Sequence, residues 1–207
     1  MALLLAAGTA VLRAETLSVD VDKPGAQINP AMWGVFFEDI NFGADGGLYA
    51  EMVENRGFEF PDPLMGWIRI NQSLAKGEVT VRDDDPFDAA NPHYVRIKSE
   101  AAVPFGLSNG GFRGMGVRKG EAYNFAARVR DISGGSSLSV RLYGGDGTLL
   151  DSVVLTGFVS DWKKYTATLH PTDTDPKARL ELVLTDRGSV DLDFVSLFPE
   201  QTWKNRP

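Results

Sequence analysis

The residues able to do chemistry in this 207-residue sequence are mostly carboxylates. With no cysteine in the chain, disulfides, thiolate metal sites and a cysteine nucleophile are excluded. The two histidines, His93 and His170, each adjoin a proline in an apparent turn or strand edge. A histidine-rich metal site or a Ser/His/Asp relay therefore has little to work with. Adjacent carboxylates occur at Glu38 and Asp39, within WGVFFEDINFGADGG, and in RDDDP at residues 82–86. Two carboxyls that share one reaction as nucleophile and acid/base must converge on the same bond. Neighbours in a strand point to opposite faces, and RDDDP reads as a solvated turn, so neither set makes a catalytic pair.

The elements that would position these groups follow from pattern. With 43% hydrophobic and 24% charged residues the chain can bury one full core or two small ones. Its formal charge of -7 argues against a nucleic-acid partner, which would call for clustered Lys and Arg, and leaves neutral ligands such as sugars open. Residues 1–14 carry an apolar run over residues 2–12 with Ala14 behind it, the layout of an export signal, although the basic residue, Arg13, follows the run. The expected location is secreted or periplasmic. The run is too short to cross a bilayer, no other stretch could, and no membrane association is expected.

LSVDV at residues 17–21 alternates as a half-buried strand. MWGVFF at residues 32–37 is continuously apolar, as in a strand buried on both faces. In LYAEMVENRGF, Leu48, Met52 and Val53 share a helical face and Gly57 stands where a C-terminal cap would fall. Strand, loop and helix in that order make the start of a β/α unit, and residues 15–60 form one region. From Pro61 short strands follow one another: WIRINQ, GEVTVRD, HYVRIKS, EAYNFAARVRD, LSVRLYG, LLDSVVL, KKYTATLH, ARLELVLT and VDLDFVSLF. Gly- and Asp-rich turns separate them, which predicts an antiparallel β-sandwich over residues 61–199. Residues 200–207 read as a linker.

INPAMWGVFFEDINFGADGGLYAEMVENRGFEF resembles the N-terminal signature of the α-L-arabinofuranosidases of glycoside hydrolase family 51. GLSNGGFRGMGVRKGEAYNFAARVR, DWKKYTATL and VDLDFVSLFPEQTWKNRP resemble the family's inserted sandwich, which is similar to carbohydrate-binding modules of families 4 and 9. The resemblance implies a mainly β chain: a jelly-roll sandwich preceded by an incomplete first β/α unit of a (β/α)8 barrel. It also implies an enzyme that removes terminal arabinofuranosyl groups from plant cell-wall polysaccharides with retention. Retention requires two carboxyls about 5 to 5.5 Å apart. The resemblance implies glutamates on later barrel strands, outside this sequence, so the chain alone is expected to be inactive.

Glu38 matches the family's sugar-binding glutamate, at the C-terminal end of a first barrel strand, where barrel enzymes gather their sites. The GFE start of the sandwich and its late aspartate resemble the calcium-holding ends of family 4 and 9 modules, which makes Glu59 and Asp193 candidate ligands. Calcium takes six or more oxygens, so the two would need further partners. Trp67, Tyr94, Phe112 and Tyr143 lie in or beside glycine-rich or polar stretches and are candidates for stacking on a sugar ring, whereas Trp162 and Tyr165 read as packing residues. Arabinose-containing polysaccharide or oligosaccharide is the expected partner. Two alternatives stand beside this reading: a complete, non-catalytic sugar-binding module, and a sandwich that is purely a structural spacer.

Overall fold

The computed structural model describes residues 17–27, 29–32, 34, 44, 47–71, 76–202 and 204. The chain divides into two units, Met1–Phe37 and Glu38–Pro207. In the first unit the described residues form one 3-10 turn, Pro30–Met32, begun by the Asn29 side-chain oxygen accepting the Ala31 N–H at 2.9 Å. Residues 17–21 do not form the expected strand, and Leu17, Val19 and Val21 are exposed. Alternation produces a strand only where a sheet edge takes up its backbone hydrogen bonds. Met32 ends the 3-10 turn, and of the apolar run at residues 32–37 only Met32 and Gly34 are among the described residues. The candidate export signal, Glu38 and Asp39 lie outside the described residues.

In the second unit the described residues hold eleven strands: β1 Trp67–Ile70, β2 Glu78–Arg82, β3 Tyr94–Ser99, β4 Phe105–Asn109, β5 Met115–Val117, β6 Tyr123–Asp131, β7 Leu138–Tyr143, β8 Leu149–Leu155, β9 Lys163–Leu169, β10 Asp175–Leu184 and β11 Gly188–Pro199. They form two antiparallel sheets, β1-β4-β10-β7-β8 with β5 alongside β10, and β2-β3-β11-β6-β9. The core between them is built by alternation. Phe125, Ala127 and Val129 of β6 face Leu138, Val140 and Leu142 of β7 and Leu180, Leu182 and Leu184 of β10, all buried. Each such aliphatic side chain contributes about 1.5 to 3 kcal/mol by leaving water.

All nine strands read from the sequence form, and β4 and β5 are additional. They fall in PFGLSNGGFRGMGV, whose glycines, serine and asparagine have the composition of a turn. Every residue of β4 is nonetheless buried. Gly106 is required by close approach: a Cβ there would lie 1.9 Å from the Leu182 carbonyl oxygen on β10. Asn109, fully buried, ends the strand by accepting N–H bonds from Glu54 at 3.2 Å and Gly111 at 2.9 Å and donating to the Glu54 carbonyl at 3.0 Å.

The helix expected around residues 48–57 is replaced by turns, and no α-helix occurs among the described residues. Asn55 and Phe58 take left-handed φ values of 52° and 59°, which a right-handed helix does not admit. The segment is held from outside itself. Met52 N–H donates to Leu197 O at 3.1 Å, Val195 N–H donates to Arg56 O at 2.9 Å, and Val53 and Phe58 enter the sandwich core. Residues 52–56 thereby continue the hydrogen bonding along the flank of β11 beyond Leu192, where its pairing with β3 stops. Residues placed by sequence ahead of the sandwich are thus structurally part of it.

Gly106→Ala should therefore destabilise the protein by about 3 kcal/mol or more, since the obstruction is backbone rather than a movable side chain. Gly116→Ala, on the open face of β5 with nothing within 4 Å, should stay within about 0.5 kcal/mol. Urea melts of both variants check the pair of values.

Candidate carbohydrate and cation sites

On β11, Leu192 points into the core, so Asp191 and Asp193 share the opposite face. Both carboxylates are nevertheless fully buried. Asp191 accepts two hydrogen bonds from Arg96 of β3, at 2.6 and 2.8 Å, and one from Arg130 of β6 at 2.7 Å. Arg130 also bonds the Asp85 carboxylate and donates to the Tyr94 hydroxyl at 3.0 Å, and its guanidinium lies 4.6 Å from the Trp162 ring centroid. The Tyr94 hydroxyl in turn donates to Asp84, whose carboxyl Arg82 and Tyr94 hold far below the usual carboxylate range.

The cover over this face is the connection between β2 and β3. Asp84 and Asp85 reach Tyr94 and Arg130, the Asp85 carbonyl accepts the Trp162 indole N–H at 3.1 Å, and Phe87 meets the edge of Phe194. RDDDP is exposed at Asp83, Asp84 and Asp85, as a solvated turn is, and through Asp84 and Asp85 it also serves as a clasp. Sequence reasoning missed Arg96, Arg130 and Asp191 as a cluster. The available signal was two aspartates at alternate positions inside an apolar strand, in VDLDF, which few solvent-facing strands would need.

The candidate cation ligands stand at one end of this face. Phe194, with a φ of 47°, sits in a bulge between Asp193 and Ser196 that shifts the inward-facing set from Val190 and Leu192 to Val195 and Leu197. Asp193 Oδ1 accepts the Phe194 N–H at 2.7 Å, while Oδ2 is buried without a hydrogen-bond partner. Burial, reinforced by the fields of Glu59 and Asp88, pushes the Asp193 carboxyl up to about 7 against the opposing effects of the Phe194 N–H and Arg128. Glu59 is engaged by His93: one oxygen accepts the His93 backbone N–H at 2.7 Å and the other lies 2.6 Å from Nδ1. Among the described residues no three His, Asp or Glu side chains are gathered closely enough to form a ready metal cluster. The feature that fits a hard cation is the buried, unpartnered Asp193 oxygen with two further carboxylates acting on it.

The four stacking candidates divide. Trp67 is buried, packs on Phe58 with ring centroids 5.4 Å apart and donates its indole N–H to the Asn55 carbonyl at 3.0 Å. Tyr94 is fully buried beneath the clasp. Both rings are occupied by protein and neither offers a face to a sugar, a correction to the sequence reading. Tyr143 is half-buried with the Arg179 guanidinium 5.0 Å from its ring centroid. Phe112, half-buried, stands in the wall of a cleft of about 1070 Å³ that Arg113, Arg118, Glu121, Tyr123 and Thr174 also line.

Two packed antiparallel sheets of this order make a β-sandwich, a fold that carbohydrate-binding modules share. The xylan-binding CBM22-1 domain of Paenibacillus barcinonensis Xyn10C superposes with a TM-score of 0.51 over 72% of this chain and 94% of that domain, at 14% identity, a likeness of fold alone. The nearer relationship is to α-L-arabinofuranosidases. The chain is 38% identical, over 99% of its length, to an extracellular exo-α-L-arabinofuranosidase of Streptomyces chartreusis, and 32% identical, over 92%, to α-L-arabinofuranosidase 1 of Arabidopsis thaliana. An arabinose-bound α-L-arabinofuranosidase, MgGH51, superposes with a TM-score of 0.71 and 29% identity over 83% of this chain and 30% of that one. No protein-family model matches the chain. The chain spans 25% and 30% of the lengths of those two curated relatives, and so is similar to one portion of each.

The raised Asp193 carboxyl makes a pH prediction for chelator-treated protein. The folded state holds a proton between the ordinary unfolded value, about 3.9, and about 7. This contribution to stability is complete below pH 4 and is lost as pH rises through 7. Asp193→Asn should remove that decline, of up to about 4 kcal/mol for three pH units. Urea midpoints of both proteins from pH 4 to 8 measure the difference, and parallel curves would contradict it.

Proposed function

We propose that this chain is the glycan-binding, non-catalytic portion of an exported α-L-arabinofuranosidase. The observation that carries the reading is the 38% identity, over nearly the whole chain, to the extracellular exo-enzyme of Streptomyces chartreusis. Export is supported by that relative's extracellular description and by the apolar run with Ala14 behind it at residues 1–14. No helix among the described residues is long and apolar enough to cross a membrane. In the whole enzyme Glu38 would accept hydrogen bonds from arabinofuranose hydroxyls, a charge-assisted contact. The carboxyls that attack and protonate the glycosidic bond would come from outside these 207 residues. Calcium would bind at the Asp193 corner, with Glu59 as a second ligand, in a structural role.

The spacer reading has one observation in its favour, since the ion pairs of buried Asp191 with Arg96 and Arg130 commit the polar groups at the centre of one sheet face to the protein itself. Affinity electrophoresis of the chain through gels containing arabinan or arabinoxylan separates the two. Retardation supports glycan binding, and unaltered mobility in both gels supports the spacer.

Two further outcomes are expected. At high concentration the chain should give no turnover of an aryl α-L-arabinofuranoside; turnover abolished by Glu38→Gln or Asp39→Asn would overturn the assignment as non-catalytic. Calcium at 100 times its dissociation constant should add about 2.7 kcal/mol, which raises the melting temperature by several degrees over chelator-treated protein. Asp193→Asn should abolish that increment, and magnesium, which demands a smaller octahedral shell, should reproduce it poorly.

A further inference from the structure

We propose that, granted the glycan-binding reading, the outer face of the β1-β4-β10-β7-β8 sheet binds an acidic glycan, with the Arg141 guanidinium holding a uronic-acid carboxylate and Ser108, Glu181 and the Tyr143 hydroxyl bonding sugar hydroxyls. The alternation that sends Leu107, Val140 and Leu182 into the core sends Ser108, Arg141 and Glu181 to this face. The register sets them in one row, with Ser108 opposite Glu181, Glu181 opposite Arg141 and Arg141 opposite Ser152. At about 4.8 Å between strands the row runs about 14 Å. Its floor lies low and its ends stand high. Ser108, Glu181 and Val183 are buried although they face away from the core, and Gly106 supplies no side chain, whereas Ile68 on β1 is 68% exposed and Val154 on β8 is 59% exposed. Small residues in mid-sheet between larger ones at both edges make a furrow, and its exposed aliphatic rims are what a ligand lying in it would cover.

The polar groups of the furrow keep unused bonding capacity. Among the described residues the hydroxyls of Ser108 and Tyr143 have no hydrogen-bond partner, and Glu181 spends one oxygen on Arg179 Nε, at 3.1 Å, and leaves the other unbonded. A buried hydroxyl and a buried carboxylate oxygen without partners call for a ligand or water to satisfy them. Arg141 donates from Nε to Ser139 Oγ at 3.0 Å and makes no ion pair among the described residues, so both terminal nitrogens of its guanidinium are uncommitted. Arg179 differs, being divided between Glu181 and the Gly144 carbonyl at 3.0 Å. Asp151, beside Ser152, is engaged by the His170 N–H at 2.6 Å. The strands that carry these side chains are paired on both sides, so little ordering of backbone accompanies binding.

The charges select the ligand. With Glu181 balanced by Arg179, Arg141 is left as an unbalanced, half-buried cation. Its planar fork matches a carboxylate through two parallel hydrogen bonds, a geometry that a lysine ammonium lacks. Around it the Glu181 oxygen only accepts, while the hydroxyls of Ser108 and Tyr143 both donate and accept, which complements the hydroxyls of a sugar. A carboxylate among hydroxyls is the chemistry of a uronic acid. The net charge of -7 on the chain acts little on such a ligand once bound, since at physiological salt charges beyond about 8 Å are largely screened.

The test is a titration of the full chain with trigalacturonate, with its carboxyl-reduced form and with arabinotriose, each followed by backbone amide NMR shifts, and a repeat with trigalacturonate on Arg141→Ala and Arg141→Lys. The inference expects saturable shifts from trigalacturonate at residues 106–108, 139–143, 152–154 and 179–183, and an affinity about tenfold or more above that of the reduced form. Arg141→Ala should bring the acid down to the level of the reduced form, and Arg141→Lys, which keeps the charge but not the fork, should recover only part of the difference. Equal affinity for the acid and its reduced form, an affinity unaltered in Arg141→Ala, or shifts centred elsewhere would overturn the inference. If trigalacturonate gives no saturable shift while arabinotriose does, glycan binding stands and the acidic site falls. No saturable shift from any of the three would overturn both. The comparison of acid and reduced form uses the unaltered protein, so it decides the matter even if a variant fails to fold.

Discussion

A single carboxylate oxygen ties the two ends of the sandwich together. Glu51 Oε1 accepts the N–H of Val53 at 3.0 Å and the N–H of Leu197 at 2.9 Å, joining the segment that leads into the sandwich to the strand that completes it. The grip carries a cost. Glu51 is buried, its second oxygen has no hydrogen-bond partner, the nearest cation is Arg56 at 3.8 Å, and burial raises its carboxyl above the ordinary value. What offsets the cost is the segment so placed, which bonds the flank of β11 and brings Val53 and Phe58 into the core. Trp67 and Asn109 then close on the same segment from β1 and β4.

From this join the other features follow along β11. Its first half pairs with β3 and carries Asp191 between two arginines, and its second half, past the bulge at Phe194, pairs with residues 52–56 instead. The bulge is where one pairing gives way to the other. It is also where Asp193 is left with an unpartnered oxygen. The β2–β3 connection then lies across part of the outer face, where Asp84, Asp85 and Phe87 meet Tyr94, Arg130 and Phe194. The centre of that sheet face is thereby spent on holding the protein together.

How much of this could be read from sequence depended on the range of the interactions. Strands such as KKYTATL and ARLELVL carry their own alternation, and they formed as read. β4 was hidden because Gly106, Ser108 and Asn109 have turn composition, while the reason for Gly106 is Leu182 on β10 and that for Asn109 is the backbone of residue 54, both distant in the chain. The helical spacing of Leu48, Met52 and Val53 was real but local, and long-range bonds to Leu197 and Asn109 overrode it. Trp67 seemed open beside proline and glycine, yet the indole N–H found the Asn55 carbonyl. Of the candidate site, the paired interest of Glu59 and Asp193 came from the resemblance at the two ends of the sandwich sequence, and the field of Glu59 adds to the burial that raises the Asp193 carboxyl. Asp88 and the cleft arginines carried no signal that alternation or spacing could supply.

The account rests on residues 51–58 belonging to the sandwich rather than to a separate element before it. Native-state hydrogen exchange reads this directly at the amides of Met52, Val53, Val195 and Leu197. If Glu51 and β11 hold the segment as described, these amides exchange only through global unfolding, as slowly as Leu182 in the middle of β10. Rapid exchange at Met52 and Val53 alongside full protection of β10 would show that the segment opens independently, and would contradict the account.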